Sequence, residues 1–166
     1  MERRLAAAQL VQNARKFMDA YGVLMTPMCQ ETGMPRTALD ILLFLANNQG
    51  YDTAGDICRY RGLKPGIVSM HVETLVREGL LERQNVPGDR RKTRLALTDK
   101  ARDLVSRGRA VQREMAQQMM EGLTREDIRH FCRCLEVFDQ NLDRIRQGAK
   151  RSAAYTKGKE GERERC

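Results

Sequence analysis

Four basic side chains follow a predicted tight turn in the middle of the chain. Residues 86–89 read Val-Pro-Gly-Asp, which is typical of a turn, and the next cations are Arg90, Arg91, Lys92 and Arg94. Guanidinium and ammonium groups at a hairpin tip can reach phosphates, and such binding weakens as the salt concentration rises. A run of charge is more often only a solvated surface, so its position at a turn is what favours a phosphate-binding interpretation.

The segment before this turn has the pattern of an amphipathic helix. Pro65 suits its first turn, and Gly79 stands where a left-handed C-terminal cap would fall. One face is apolar, with Val68, Val72, Leu75 and Val76 at steps of three and four. Candidate DNA contacts on or beside the opposite face are Lys64, Ser69, Met70, His71, Thr74 and Arg77. An ordinary solvated face is the alternative, and His71 lies close enough to the apolar stripe to pack inside.

Two short strands are predicted after this helix. The first begins at Leu80-Leu81, and the second spans residues 93–98, where Leu95 and Leu97 alternate with other residues. A helix can enter the major groove of duplex DNA while a basic hairpin beside it reaches phosphates or the adjacent minor groove. The order of helix and hairpin therefore predicts contact with double-stranded DNA.

The same stretch resembles the signature of the MarR family of transcriptional regulators, in which a recognition helix precedes a wing. The resemblance is carried by Val68-Ser69, Leu75, Gly79-Leu80-Leu81, Arg83, Asp89-Arg90-Arg91 and Leu95-Ala96-Leu97-Thr98. It implies that Asp89 positions a wing arginine, most naturally Arg91, and that Arg90 or Arg91 probes a minor groove. The chain departs from the family pattern at Ala101, where Gly is frequent, and at Gly66, where a small polar residue is common.

Helical patterns lie on both sides of this stretch. An apolar stripe over residues 5–28 predicts a first helix, which Gly33 and Pro35 end. Thr53 is expected to cap a short helix that forms a helix-turn-helix with residues 65–78. Thr98 and Thr124 are expected to cap two further helices. The last helix has a regular apolar seam of Ile128, Phe131, Leu135, Phe138, Leu142 and Ile145.

The predicted fold class is mainly α with a small β-hairpin wing, in the order α1-α2-α3-α4-β-β-α5-α6. Residues 35–97 are assigned to a winged helix-turn-helix DNA-binding domain, and residues 1–34 and 98–147 to a helical dimerisation region. The stripes of the first and last two helices exceed what a monomer could cover, which indicates a homodimer. The MarR resemblance implies the same two-fold dimer on a palindromic site. Residues 148–166 are rich in Lys, Arg, Glu and Gly and are predicted to form a flexible basic tail.

The composition limits the classes of partner, location and activity that the chain could have. The 166 residues carry a formal net charge of +8, which favours a polyanion such as double-stranded DNA. The longest apolar runs are too short for a membrane span, and the first residues lack a signal-peptide pattern, so a cytoplasmic location is expected. The sequence has two histidines and shows no nucleophile–base pairing, metal-ligand spacing or phosphate loop. We therefore predict no enzyme activity, metal or cofactor. With four Phe, four Tyr and no Trp, an RNA-stacking platform is not expected either.

Sulfur-containing residues raise two further possibilities. The five cysteines are scattered, which is typical of free thiols in a reducing compartment. Cys29 is the preferred candidate for redox sensing, although an inert, buried thiol is the commoner outcome. The MarR resemblance also implies a site for a small aromatic or amphipathic ligand. Six methionines of the first and fifth helical regions could line it: Met18, Met25, Met28, Met115, Met119 and Met120. Core or dimer packing is the alternative for each of them.

From the sequence we thus predict a homodimeric, sequence-specific DNA-binding regulator that acts as a repressor and responds to a small-molecule effector. Two alternatives stay open. One is a thiol-based redox-sensing regulator of the same fold. The other is a winged-helix module for protein interaction, against which the basic hairpin argues.

Overall fold

The computed structural model describes residues 2–86 and 89–163, with the side chains of residues 8–85, 93–145, 147 and 148. Within that part of the chain, six helices accompany a two-stranded antiparallel sheet. The elements are α1 (Glu2–Thr32), α2 (Arg36–Asn47), α3 (Ala54–Arg61), α4 (Pro65–Arg77), β1 (Leu81–Val86), β2 (Asp89–Leu97), a 3₁₀ turn (Asp99–Ala101), α5 (Arg102–Met119) and α6 (Arg125–Arg163). This order confirms the predicted winged helix-turn-helix fold class.

The chain divides into two compact units, residues 1–119 and 120–166. Helix α2 forms the centre of the first unit, where it contacts α1, α4, α5 and β2. Its side chains Leu39, Ile41 and Leu42 are fully buried, together with Ile57 of α3 and Leu75 of α4. The apolar stripes that predicted α2, α3 and α4 therefore meet in one core, because each helix must cover its apolar face.

Helix α5 packs closely against α2 at Gly108. A Cβ added at Gly108 would lie 2.8 Å from Cδ2 of Leu43, so a side chain at this position would force Leu43 to shift. Three of the methionines considered as pocket residues, Met25, Met28 and Met115, are buried in this core. Their burial supports core packing as their role.

Two predicted helix caps are present as hydrogen-bonded boxes. The Thr53 Oγ1 accepts from the Asp56 N–H at 3.1 Å, while the Asp56 carboxylate accepts from the Thr53 N–H at 3.1 Å. Thr124 and Asp127 repeat this arrangement at the start of α6. The hydrogen bond from the Thr124 hydroxyl, followed by that from its backbone N–H, lowers the pKa of the Asp127 carboxyl.

The expectation for Thr98 is wrong in its detail. Thr98 precedes the 3₁₀ turn but makes no side-chain cap there. Its hydroxyl instead donates to the carbonyl of Gly79 at 2.6 Å. The hydroxyl can reach that carbonyl because Leu97, the residue before Thr98, pairs with Leu81 across the sheet.

The wing is an antiparallel hairpin with an irregular tip. Residues 81–85 of β1 pair in regular register with residues 93–97 of β2, and then Val86 pairs with Asp89. Three residues of β2, numbers 90–92, therefore lie opposite a single step of β1, which makes a bulge. At the other end, the Leu95 N–H donates to the Asp52 carbonyl at 2.7 Å, so the α2–α3 loop adds a further rung beside β2.

The second unit consists mainly of α6. Its predicted apolar seam is exposed, from Phe131 at 39% and Phe138 at 40% to Ile145 at 67% of their accessible areas. The backbone stays helical to Arg163, beyond residue 148, where a tail was predicted. Lys, Arg, Glu and Ala favour helix and offset the glycines at positions 148, 158 and 161. The flexibility of this segment stays a prediction.

Candidate nucleic-acid interface

The outer face of α4 presents a continuous exposed stripe. Met70 is 53% exposed, and Ser69, Glu73 and Arg77 are exposed beside it at helical spacing. Lys64 is also exposed and occupies the N-cap position, where its backbone rather than its side chain starts the helix. The structure thus brings Ser69, Met70 and Arg77 to one solvent-facing side of the helix, and it exposes Lys64 at the start of the helix.

Two of the predicted contacts on α4 lie elsewhere. Thr74 is half-buried. His71 is only 9% exposed and belongs to the buried face with Val68, Val72 and Leu75. The burial of His71 favours the packing alternative over a DNA contact, because its position one turn before Leu75 points it inward.

An ion pair joins the recognition helix to the wing. Arg83 of β1 donates from Nη2 to Oε2 of Glu73 at 2.8 Å. This hydrogen bond, followed by the charge of Arg83, lowers the pKa of the Glu73 carboxyl. Neither residue was among the predicted contacts, although Glu73 lies on the polar face of α4 and Arg83 within the sequence signature. Their pairing needed the strand register and could not be read from the sequence.

Arg94 anchors the base of the wing. Its Nε lies 3.4 Å from Oδ2 of Asp52, in the loop whose backbone carbonyl accepts from Leu95. The side chain of Arg94 is 53% exposed, so one edge of its guanidinium still faces solvent. Arg94 therefore also has a positioning role, because its ion pair holds β2 against the α2–α3 loop. Its role as a phosphate contact stays a prediction.

The residues at the tip of the wing are described by their backbone alone. Asp89, Arg90, Arg91 and Lys92 belong to β2 by their backbone, but their side chains lie outside the described residues. Their proposed roles as wing-positioning residue and phosphate or groove contacts stay predictions. In the described backbone, these three cations follow one another in the bulge at residues 90–92, outside the regular strand register.

Two clefts flank α4. A cleft of about 450 Å³ lies between α3, α4 and the wing, with Cys58, Ser69, Arg83 and Leu95 among its lining residues. A second, of about 520 Å³, lies between the α1–α2 turn, α4 and the start of α5. Its walls combine apolar and polar groups: Thr32, Gly33, Met34, Pro35, Ala38, Met70, His71, Thr74, Glu78, Leu80, Lys100 and Leu104. Mixed walls of this kind suit a small amphipathic molecule.

The environment of Cys29 does not favour a reactive thiol. Burial raises the pKa of Cys29 above its usual value, and the charge of Asp40 raises it further. Redox-sensing cysteines need the opposite shift, because the thiolate is the reacting form. The other described cysteines are free as well: Cys58 is half-buried, and Cys132 and Cys134 are exposed.

Membrane-spanning helices and metal-binding clusters are both absent from the described part of the chain. No helix there is long and apolar enough to cross a membrane. In the same part of the chain, no three His, Cys, Asp or Glu side chains are grouped so that they could hold a metal ion.

The winged-helix part of the chain is similar to known proteins. Residues 32–92 match the model of the MarR family. The chain is 26% identical over 104 residues to the HTH-type transcriptional repressor IacR of Pseudomonas putida, a match that covers 63% of this chain and 62% of that repressor. The chain therefore spans less than two thirds of that relative.

Solved structures share the fold over most of the chain. A MarR transcriptional regulator from Methanosarcina mazei Go1 superposes with a TM-score of 0.67 at 21% identity, over 82% of this chain and 99% of that one. BpsR of Bordetella bronchiseptica, whose DNA binding is regulated by 6-hydroxynicotinic acid, gives a TM-score of 0.60 at 20% identity. That match covers 79% of this chain and 98% of BpsR. At these identities the structures establish the fold.

Proposed function

We propose that this chain, a member of the MarR family of transcriptional regulators, represses transcription as a homodimer bound to a palindromic DNA site. The observation that carries the proposal is the exposed stripe of α4 beside a hairpin that bears Arg90, Arg91 and Lys92. The stripe has the size and polarity to read base edges in a major groove, while the wing cations neutralise phosphates or enter the minor groove. The formal net charge of +8 supports a polyanionic partner.

The two-fold dimer is argued from exposed apolar surface in each unit. Leu10, Phe17 and Met18 are about half exposed on α1, and the α6 seam is exposed in the second unit. Helical stripes of this length would cost solubility unless a partner covered them. A second copy is the simplest partner, because it places two copies of α4 about one DNA turn, roughly 34 Å, apart.

The effector is proposed to be a small aromatic or amphipathic molecule that binds in the cleft of about 520 Å³. The cleft contacts α4 and the start of α5, so an occupant would bias the position of the recognition helix. The regulation of BpsR by 6-hydroxynicotinic acid supports this class of ligand.

The first experiment tests DNA binding and the wing together. Genomic fragments that the wild-type chain selects are titrated by fluorescence anisotropy at several salt concentrations. Arg90→Ala/Arg91→Ala should weaken binding at least tenfold and lower the magnitude of the salt slope by about 3.6, since the homodimer loses two phosphate contacts from each subunit. Arg90→Lys/Arg91→Lys is the matched control and should keep the slope. Absence of any selected fragment, or an alanine variant that binds as wild type, contradicts the proposal.

A winged-helix module for protein interaction is the second candidate. The exposed aromatic pair Tyr51 and Tyr60, whose ring centroids lie 4.6 Å apart, is the observation in its favour. Two results together would support this candidate over the DNA-binding function. The wild-type chain would select no DNA, and the Tyr51→Ala/Tyr60→Ala variant would no longer crosslink to a protein that the wild type captures.

A further inference from the structure

The C-terminal end of the recognition helix is held from outside by the junction between β2 and α5. Three consecutive carbonyls accept hydrogen bonds from that junction: Glu78 from Lys100 Nζ at 2.7 Å, Gly79 from Thr98 Oγ1 at 2.6 Å, and Leu80 from the Thr98 N–H at 3.1 Å. Glu78 is the C-cap of α4, where the helix leaves its carbonyl unsatisfied, and Gly79 and Leu80 follow it directly. We name Thr98 and Lys100 the junction clamp.

The same helix end also closes on itself. The Gly79 N–H donates to the Val76 carbonyl and the Leu80 N–H to the Leu75 carbonyl, both at 2.9 Å, and Gly79 has a φ of 71°. This is a Schellman motif, and it orders residues 78–80 so that their carbonyls face the junction. The Lys100 ammonium also lies at the negative end of the helix dipole, where a cation is stabilising.

We propose that the junction clamp is a positioning device for sequence readout, and that it transmits the position of α5 to the recognition helix. The inference rests on the proposed DNA-binding function. Base edges are read by short side chains that tolerate little displacement, whereas phosphates are reached by long, adaptable ones. A loosened end of α4 should therefore lower the affinity for the selected site more than the affinity for DNA in general.

The location of the clamp supports a role in transmission. Lys100 lies in the 3₁₀ turn that leads directly into α5, and Thr98 follows the last residue of β2. Lys100 and Glu78 also line the cleft of about 520 Å³. A movement of α5, or an occupant of the cleft, would thus act on the hydrogen bonds that hold α4.

The test compares Lys100→Met and Thr98→Val with wild type on the selected fragment and on a shuffled duplex of equal length. Each variant should weaken binding to the selected fragment about threefold, and the double variant about tenfold. Affinity for the shuffled duplex and the salt slope should match those of Arg102→Met. That control loses one charge from a side chain that is 79% exposed and pairs only locally with Asp99. Lys100→Arg keeps the donor and should restore wild-type selectivity.

Three outcomes would overturn the proposed role of the junction clamp. In the first, Lys100→Met weakens both duplexes equally and lowers the salt slope by about 1.8, which would make Lys100 a phosphate contact in each subunit of the dimer. In the second, the selectivity is unchanged. In the third, hydrogen exchange of the free protein shows equal protection of the amides of residues 78–80 in wild type and the Thr98→Val variant. This last measurement needs no DNA, so failure of the clamp is distinguishable from failure of the DNA-binding function.

Discussion

At the scale of single residues, the candidate interface contains cations that are paired within the protein. Arg83 is paired with Glu73, and Arg94 with Asp52, at the two places where the wing meets the helix-turn-helix. Exposed ion pairs contribute little to stability but fix the orientation of the side chains that form them. These two arginines therefore position the wing, and Arg90, Arg91 and Lys92 stay the predicted phosphate contacts.

The Glu73→Gln variant tests whether Arg83 positions the wing and does not bind phosphate. Removing the carboxylate should free Arg83 for phosphate and raise affinity for a shuffled duplex two- to fivefold, with a salt slope steeper by about 1.8 because each subunit gains one contact. Glu82→Gln, a charge-matched change on the same hairpin, is the control.

The pH dependence gives a second test of the ion pair between Glu73 and Arg83. Because the pKa of Glu73 is lowered in the folded state, this pair persists as the pH falls through the ordinary range of Glu and is lost only at the lower folded pKa. Wild-type affinity that rises between pH 6 and pH 5 to the level of the variant would contradict this interpretation.

Tyr21 supplies a second prediction at this scale. Its hydroxyl donates to Asp40 Oδ1 at 2.9 Å, and burial raises the pKa of Tyr21 to about 12. The unfolded tyrosine loses its proton near its usual value of about 10, so stability should fall as pH rises from 10 to 12. Tyr21→Phe should lack this part of the slope and lose about 1 kcal/mol at pH 7. Urea unfolding at pH 7, 10 and 11.5 measures both effects, and equal slopes for the two proteins would refute the prediction.

At the scale of elements, the crossing of α2 and α5 depends on one glycine. Gly108→Ala should reduce the free energy of unfolding by about 1–3 kcal/mol, because its Cβ overlaps the Leu43 side chain. Leu43→Val in the same chain should recover part of the loss by making room. Gly148→Ala is the matched control, since nothing lies within 4 Å of the added Cβ and alanine favours helix. Thermal unfolding followed by circular dichroism measures all four proteins. A Gly108→Ala variant as stable as wild type would show that the crossing adjusts freely.

At the scale of the whole molecule, the seam of α6 should hold the proposed dimer. Phe131→Glu/Phe138→Glu places two charges within the apolar seam and should shift the chain to monomer in sedimentation velocity. Gln140→Glu, on the opposite side of the same helix, should leave the dimer intact. Binding to a palindromic fragment should weaken at least a hundredfold in the monomeric variant, because two linked half-sites become independent. A variant that remains dimeric would assign the interface to other surfaces.

Local patterns of residues were enough to predict most of the fold. The stripes at steps of three and four marked the helices, alternation marked β2, and Thr53, Thr124 and Gly79 marked helix ends, because capping and periodicity act within a few residues. The same locality explains what these patterns left open. His71 lies at the border of the apolar stripe, where a shift of one residue decides between core and solvent. The helix beyond residue 148 carries no apolar stripe that could have marked it.

What the sequence by itself determined was the order of helices and strands, the exposed face of α4 and the run of cations after the turn at residues 86–89. The tertiary structure decided which charges of the wing are paired, since Arg83 with Glu73 and Arg94 with Asp52 lie 10 and 42 positions apart in sequence. It also moved Thr98 from a cap of α5 to a hydrogen bond with the end of α4. Such contacts depend on strand register and helix crossing, and those are set by the packing of the whole core.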